Sequence, residues 1–200
     1  MPDTTRSSRR QQILEALARE LESRPGARIT TARLAEVVGV SEAALYRHFP
    51  SKAKMFEALI EFSEESVFGL ANRILSEEPG VERRCERILT MLLTFSERNP
   101  GITRVLLGEA LVGEHERLRD RISQFFSRFE TQLKQVLREG EQVDGVSLQA
   151  SVAAIANLLM AVVEGRMSQF SRSGFEHSPI ESWDQQWRAL QAGLFPRTAE

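Results

Sequence analysis

The segment ITTARLAEVVGVSEAALYRHFPSK, residues 29–52, gathers short hydrogen-bonding and cationic side chains at helical spacing. Ser41, Glu42, Ala43, Tyr46, Arg47 and His48 fall on the outer face of one short helix, while Ala44 and Leu45 turn inward. The chemistry open to that set is recognition of an anionic polymer rather than bond-making. Tyr46 and His48 can donate to phosphate oxygens or touch base edges, and Ser41, Ala43 and Arg47 are the candidates to meet base edges in a major groove. Taken singly, His48 could equally serve packing or solvation. Lys52 and Lys54 add to the case, because they fall in the first turn of the following helix. The positive end of the helix dipole there disfavours cations by roughly 0.3–1 kcal/mol unless an anion lies nearby. A phosphate held by that helix end and Lys52 would supply it.

Other reactive side chains are dispersed. His48, His115 and His177 stand far apart, and no HExxH, GxSxG or glycine-rich phosphate loop occurs. The single cysteine, Cys85, sits in the charged helical stretch VERRCERIL with no second thiol, and reads as a spectator. The sequence therefore predicts no enzyme, no metal site and no cofactor.

The elements that must position the basic segment are helical. Ile13, Leu14, Leu17, Ala18 and Leu21 repeat at three and four, and Ser23-Arg24-Pro25-Gly26 stops that helix. Thr30 caps a short helix carrying Leu34, Ala35 and Val38, Gly39 ends it, and Ser41 caps the next. Two two-turn helices joined at a glycine, with Ala35 small enough for a close crossing, make a helix-turn-helix. Thr30 and Thr31 join the candidate DNA-binding set. Arg6, Arg9 and Arg10 precede the first helix on a Ser/Thr-rich arm that either drapes along DNA or is a solvated tail.

After Pro50-Ser51, Met55, Phe56, Leu59, Ile60, Phe62, Val67 and Leu70 mark a long connector helix to about Ser76. Further helices are predicted through Phe95, to about Leu111, over 114–139, over 147–172 and over about 181–194, with 140–145 a polar loop. The phenylalanines 125, 126 and 129 either fill a core or line a ligand chamber. Residues 147–172 are apolar around most of their circumference and rich in Ala and Gly, so they form a central helix or a dimer seam.

Composition agrees with a folded protein: 42% hydrophobic and 27% charged residues over 200. The net charge of −2 conceals a division. Residues 1–55 hold ten basic against six acidic residues, and the remainder sixteen against twenty-two, as expected if only the head meets phosphate. No apolar run is long enough to span a bilayer, and MPDTTRSSRRQQ has no apolar segment of a secretory leader, which predicts a cytoplasmic protein without membrane contact.

The stretch TTARLAEVVGVSEAALYRHFPSKAKMFEAL, with its Tyr46, His48, Phe49 and Lys52 signature, resembles the DNA-binding head of TetR-type regulators. The resemblance implies an all-α fold of about nine helices. A three-helix head over 1–55 would precede a larger dimerisation and regulatory domain over 56–200, whose last two long helices build a four-helix bundle across a homodimer. The seam candidates are Ile155, Leu159, Val162, Gly165, Trp183, Trp187 and Leu190. The target would be a palindromic DNA site taking one or several dimers.

SEAALYRHFPSKAKMFEALIEF, SERNPGITRVLLGEAL, RISQFF and QLKQVLRE further resemble a branch of that family whose DNA-bound dimers antagonise assembly of the tubulin-like division protein FtsZ over the chromosome. That resemblance implies a nucleoid-associated protein meeting FtsZ through Phe62, Arg98 and Asn99. Arg98 and Asn99 also fit a purely structural role, as dipole partner and C-terminal cap of a helix. The commoner occupation of the family, a repressor answering to a small ligand, is the alternative, with no ligand expected in the first reading.

Overall fold

A computed structural model describes residues 4–24 and 27–196, the first five of them by backbone alone. Among the described residues there are nine α-helices, one 3₁₀ turn and no strand. The helices are α1 (Thr4–Ser23), α2 (Thr31–Val38), α3 (Glu42–His48), α4 (Lys52–Glu77), α5 (Val81–Arg98), α6 (Pro100–Leu106), α7 (Glu116–Gln142), α8 (Val152–Arg172) and α9 (Trp183–Leu194), with the 3₁₀ turn at Glu109–Leu111. The chain groups into two units, Met1–Ser63 with Asn99–Ile122, and Glu64–Arg98 with Ser123–Glu200.

In the first unit Ile13, Leu17 and Leu21 of α1 are buried with Leu34, Ala35, Leu45 and Phe49, which closes a three-helix head. Helix α6 joins this unit because its backbone lies directly on α1: a Cβ placed on Gly101 would stand 2.0 Å from the Ala18 carbonyl oxygen. Only a residue without a side chain permits that approach. The neighbouring Arg104, 5% exposed, donates to the carbonyls of Leu21 (2.6 Å) and Arg24 (3.3 Å) and pairs with Glu109 at 3.4 Å. A cation thus completes the carbonyl end of α1. Glu57 of α4 draws in Lys54 at 2.5 Å and Arg117 of α7 at 2.6 Å. Burial alone would push its carboxyl up, but the Lys54 hydrogen bond and the charges of Arg117, Lys54 and Arg121 hold it below the ordinary range.

The second unit is built around apolar stripes of α5 and α8. Ile88, Leu89 and Leu92 of α5 are buried together with Ile155, Ala156, Leu159, Met160, Val163 and Met167 of α8, and each of these side chains larger than Ala156 contributes about 1.5–3 kcal/mol by leaving water. Trp183 and Trp187 of α9 close this core, the Trp183 indole donating to Thr90 Oγ1 at 2.8 Å. Phe125 and Phe129 are fully buried, with the Phe68 ring centred 5.5 and 6.3 Å from theirs. They fill the core; Phe126 is half-buried at its edge. Cys85 is wholly buried and its thiol is pushed up to about 12 by burial, with Glu82 adding to the effect, which makes it unreactive.

Four sequence expectations shift, one of them being the helix read from 147, which begins only at Val152 with Ser151 as its cap. The residues read as an N-terminal arm are helical: α1 begins at Thr4, so Arg9 and Arg10 ride on its first turns. Arg and Gln are good helix formers, and nothing in RSSRRQQ breaks a helix. The Arg6 side chain lies outside the described residues. The loop expected from Gly140 begins later, because α7 continues to Gln142 with Val81 packed over Gly140. Asn99 does not cap the end of α5; with φ −134° and ψ 63° it stands at the N-cap position of α6, ahead of Pro100.

Candidate nucleic-acid interface

Residues around one turn create the candidate site. Thr30 caps α2 by accepting from Arg33 N at 3.2 Å, and Gly39 ends it in the left-handed conformation, φ 73° and ψ 38°. Its N–H and that of Val40 return to Glu36 and Ala35 carbonyls at 3.1 and 2.9 Å. Ser41 caps α3 by accepting from Ala44 N at 3.2 Å. Each capping hydroxyl accepts one bond and can still donate its own proton.

Leu45 anchors α3 inward with no exposed surface. Ser41, Glu42, Ala43, Tyr46 and Arg47 are exposed, and His48 is half-buried. Positions 42, 43, 46 and 47 share one face of α3. Tyr46, 44% exposed, is aimed by its neighbours: its hydroxyl donates to Thr31 Oγ1 at 3.3 Å, and Thr31 donates to Glu42 Oε2 at 2.7 Å. Glu42, which alone would repel phosphate, is thereby held against α2.

Arg10 serves this turn in a way the sequence did not indicate. Its guanidinium donates to the His48 carbonyl at 2.7 Å and lies 4.3 Å above the Phe49 ring, so it braces the end of α3 from α1. No short-range signal links residues 38 positions apart in the chain. Lys52 likewise has internal partners. Its ammonium donates to the Ile29 carbonyl at 3.0 Å and pairs with Glu114, so the anion predicted near the start of α4 is present within the chain.

The remaining candidates separate. Phe62, 42% exposed, points away from the core. It lines a groove of about 260 Å³ with Leu14 and Ala18 of α1, Leu59 of α4, and Asn99 and Ile102. Arg98 is an exposed residue in the last turn of α5, in the second unit. Of the seam candidates, Ile155, Leu159, Trp183 and Trp187 are at most 2% exposed within a single chain. They belong to the protomer's own core and are not available to a partner, because the wide apolar arc of α8 is used first against α5. Val162 and Leu190 are half-buried and Gly165 is exposed. With them the outer face of α8 presents Ala154, Ala161 and Leu158, the last 44% exposed.

A glycine-turned helix pair with a polar outer face, on a frame of nine helices among the described residues, is the helix-turn-helix arrangement of DNA-binding proteins. Residues 13–59 match the bacterial regulatory proteins, tetR family, and residues 81–194 match the SlmA-like type of Tetracyclin repressor-like, C-terminal domain. The nucleoid occlusion factor SlmA of Alteromonas mediterranea is 56% identical over 191 residues, covering 96% of this chain and 98% of that protein. The nucleoid occlusion factor SlmA of a Marinomonas species is 57% identical over 189 residues, 94% of this chain and 96% of that one. The chain belongs to the tetR family of bacterial regulatory proteins, in its SlmA nucleoid occlusion factor branch.

Solved structures share the fold. The MbdR regulator from Azoarcus sp. CIB has a TM-score of 0.78 at 17% identity, covering 92% of this chain and 97% of that one. FadR from Bacillus subtilis, solved with stearoyl-CoA, has a TM-score of 0.73 at 14% identity over 92% of this chain and 98% of that one. No helix among the described residues is long and apolar enough to cross a membrane.

Proposed function

We propose that the protein is a nucleoid occlusion factor: a homodimer that binds a palindromic DNA site through residues 1–55 and, when bound, antagonises FtsZ assembly over the chromosome. The observation that carries the FtsZ half of this reading is Phe62. A large aromatic ring is left at the surface of α4 although Met55, Phe56, Leu59 and Ile60 just ahead of it are buried, in a groove that also holds Asn99. A groove with an apolar floor and an amide at its edge suits an extended peptide of the partner. Arg98 is the third contact candidate. The test is polymerisation of the cognate FtsZ with GTP, read by sedimentation, with the protein added together with a DNA duplex selected for it. Assembly should fall with that duplex and not with an unrelated one; indifference to both would overturn the reading.

The second reading, a ligand-responsive repressor, draws on the FadR likeness. It is disfavoured by Phe125 and Phe129, which fill space where a chamber would have to open.

On DNA, the two α3 helices of a dimer would enter successive major grooves about 34–36 Å apart. Ser41, Ala43 and Arg47 are assigned to base edges, and Tyr46, His48, Lys52, Thr30, Thr31, Arg9 and Arg10 to the DNA backbone. Arg47→Ala is expected to cost about 1–3 kcal/mol on the selected site and little on random DNA, so that specificity relaxes. Equal losses on both duplexes would reassign Arg47 to phosphate.

Dimerisation is proposed through the outer face of α8, Ala154, Leu158, Ala161, Val162 and Gly165, with Leu190 of α9. Ala154, Ala161 and Gly165 are small enough to let two helices approach closely. Leu158→Glu is expected to leave the fold intact, since the side chain is exposed in one protomer, and to shift sedimentation from dimer to monomer. An unchanged dimer would place the seam elsewhere.

A further inference from the structure

The first turn of α4 carries Lys52 and Lys54 and no acidic residue. Lys54 is answered from its own helix by Glu57 at 2.5 Å, whereas Lys52 is answered by Glu114, in the turn ahead of α7. Neither partner is free to wander: the Lys52 side chain is 19% exposed and the Glu114 side chain 11%. Lys52 is fixed further by its bond to the Ile29 carbonyl, in the strand of chain that leads into α2. The recess they share also holds Arg28 and the Arg104–Glu109 pair.

We propose that Glu114 is a built-in counterion that competes with DNA for Lys52 and thereby sets the affinity of the head and its response to salt. The proposal rests on the phosphate-contact reading of Lys52 given above. A DNA phosphate arriving at the start of α4 meets a pair with no net charge. Of the three N–H donors of Lys52, the Ile29 carbonyl and Glu114 take one each, so a phosphate reaches the ammonium only in competition with the Glu114 charge beside it. Neutralising a phosphate with a free lysine releases about one condensed counterion, whereas exchanging one carboxylate for one phosphate releases little. Glu114 is therefore a positioning residue: it keeps Lys52 in place in the absence of DNA and lowers the non-specific attraction of the head.

The experiment is equilibrium binding of the full-length protein to a fluorescent duplex selected for it, by anisotropy across a potassium chloride series. In Glu114→Gln the slope of log affinity against log salt should steepen by about 0.9, an additional loss of about 3.5-fold over a fourfold rise in salt. Glu114→Asp, which keeps the charge, should return toward the wild-type slope. In a Lys52→Ala background, Glu114→Gln should change nothing. If Lys52→Ala flattens the slope while Glu114→Gln matches wild type, Lys52 contacts phosphate and the competition is refuted. If Lys52→Ala itself leaves the slope unchanged, the phosphate reading of Lys52 fails and the competition with it. Glu114→Ala replaces the glutamine variant should that one fail to fold, as judged by its far-ultraviolet dichroism.

Discussion

Gly101→Ala is expected to destabilise the protein by about 3 kcal/mol or more, the upper end of what overpacking costs. The added methyl would stand 2.0 Å from the Ala18 carbonyl oxygen and 3.1 Å from Glu22 N. Both are backbone atoms of α1, so no rotamer change can relieve the clash. Relief requires α6 to lift from α1, which would uncover Ile102 and Val105, 4% and 0% exposed in the intact fold. For a chain of this length the loss corresponds to a Tm lower by roughly 6–12 °C. A melting curve matching wild type would mean that α1 and α6 do not hold this contact in solution.

Arg104→Met is the second large effect. The substitution preserves most of the buried volume and removes the guanidinium, leaving the Leu21 and Arg24 carbonyls without this donor. A hydrogen bond from a charged group contributes about 1.5–3 kcal/mol, and the end of α1 loses its cation as well. The expected cost is about 2–4 kcal/mol, read as a lower urea midpoint at unchanged m. Glu109→Gln should cost under about 1 kcal/mol, because that carboxylate side is 38% exposed and partly screened. Equal losses for the two variants would assign the energy to the ion pair instead of the helix end.

Much of the head was legible because its signals are local. Thr30, Gly39 and Ser41 announce the ends of α2 and α3 by residue type, and Leu34, Ala35 and Leu45 announce the inner face by spacing. The start of α1 was misread for the same reason: RSSRRQQ lacks apolar periodicity, and what holds its arginines, the His48 carbonyl and the Phe49 ring in the case of Arg10, lies far along the chain. Lys52 shows a related limit. Its need for an anion followed from its place on α4, but residue order could not say whether Glu114 or a phosphate meets that need.

Periodicity has a further blind spot in α8 and α9. It identifies Ile155, Leu159, Trp183 and Trp187 as apolar faces, but it does not tell a face that docks on the same chain from one that docks on a copy. Burial resolves the matter, assigning the large side chains to the protomer's core and leaving Leu158 among small residues outside. Phe62 is the reverse case. It shares the apolar pattern of α4 with Leu59 and Ile60, yet only the fold places it at the surface.

The aromatic residues also divide the molecule optically. Its two tryptophans both lie on α9, 2% exposed against α5, and its single tyrosine is Tyr46 on α3. Emission excited at long ultraviolet wavelengths therefore reports on the docking of α9 alone, blue-shifted while Trp183 and Trp187 stay dry. The phenol signal belongs entirely to α3. One unlabelled sample can thus report on its helical body by tryptophan emission and on its head by the magnetic resonance of the single tyrosine ring, with no introduced dye.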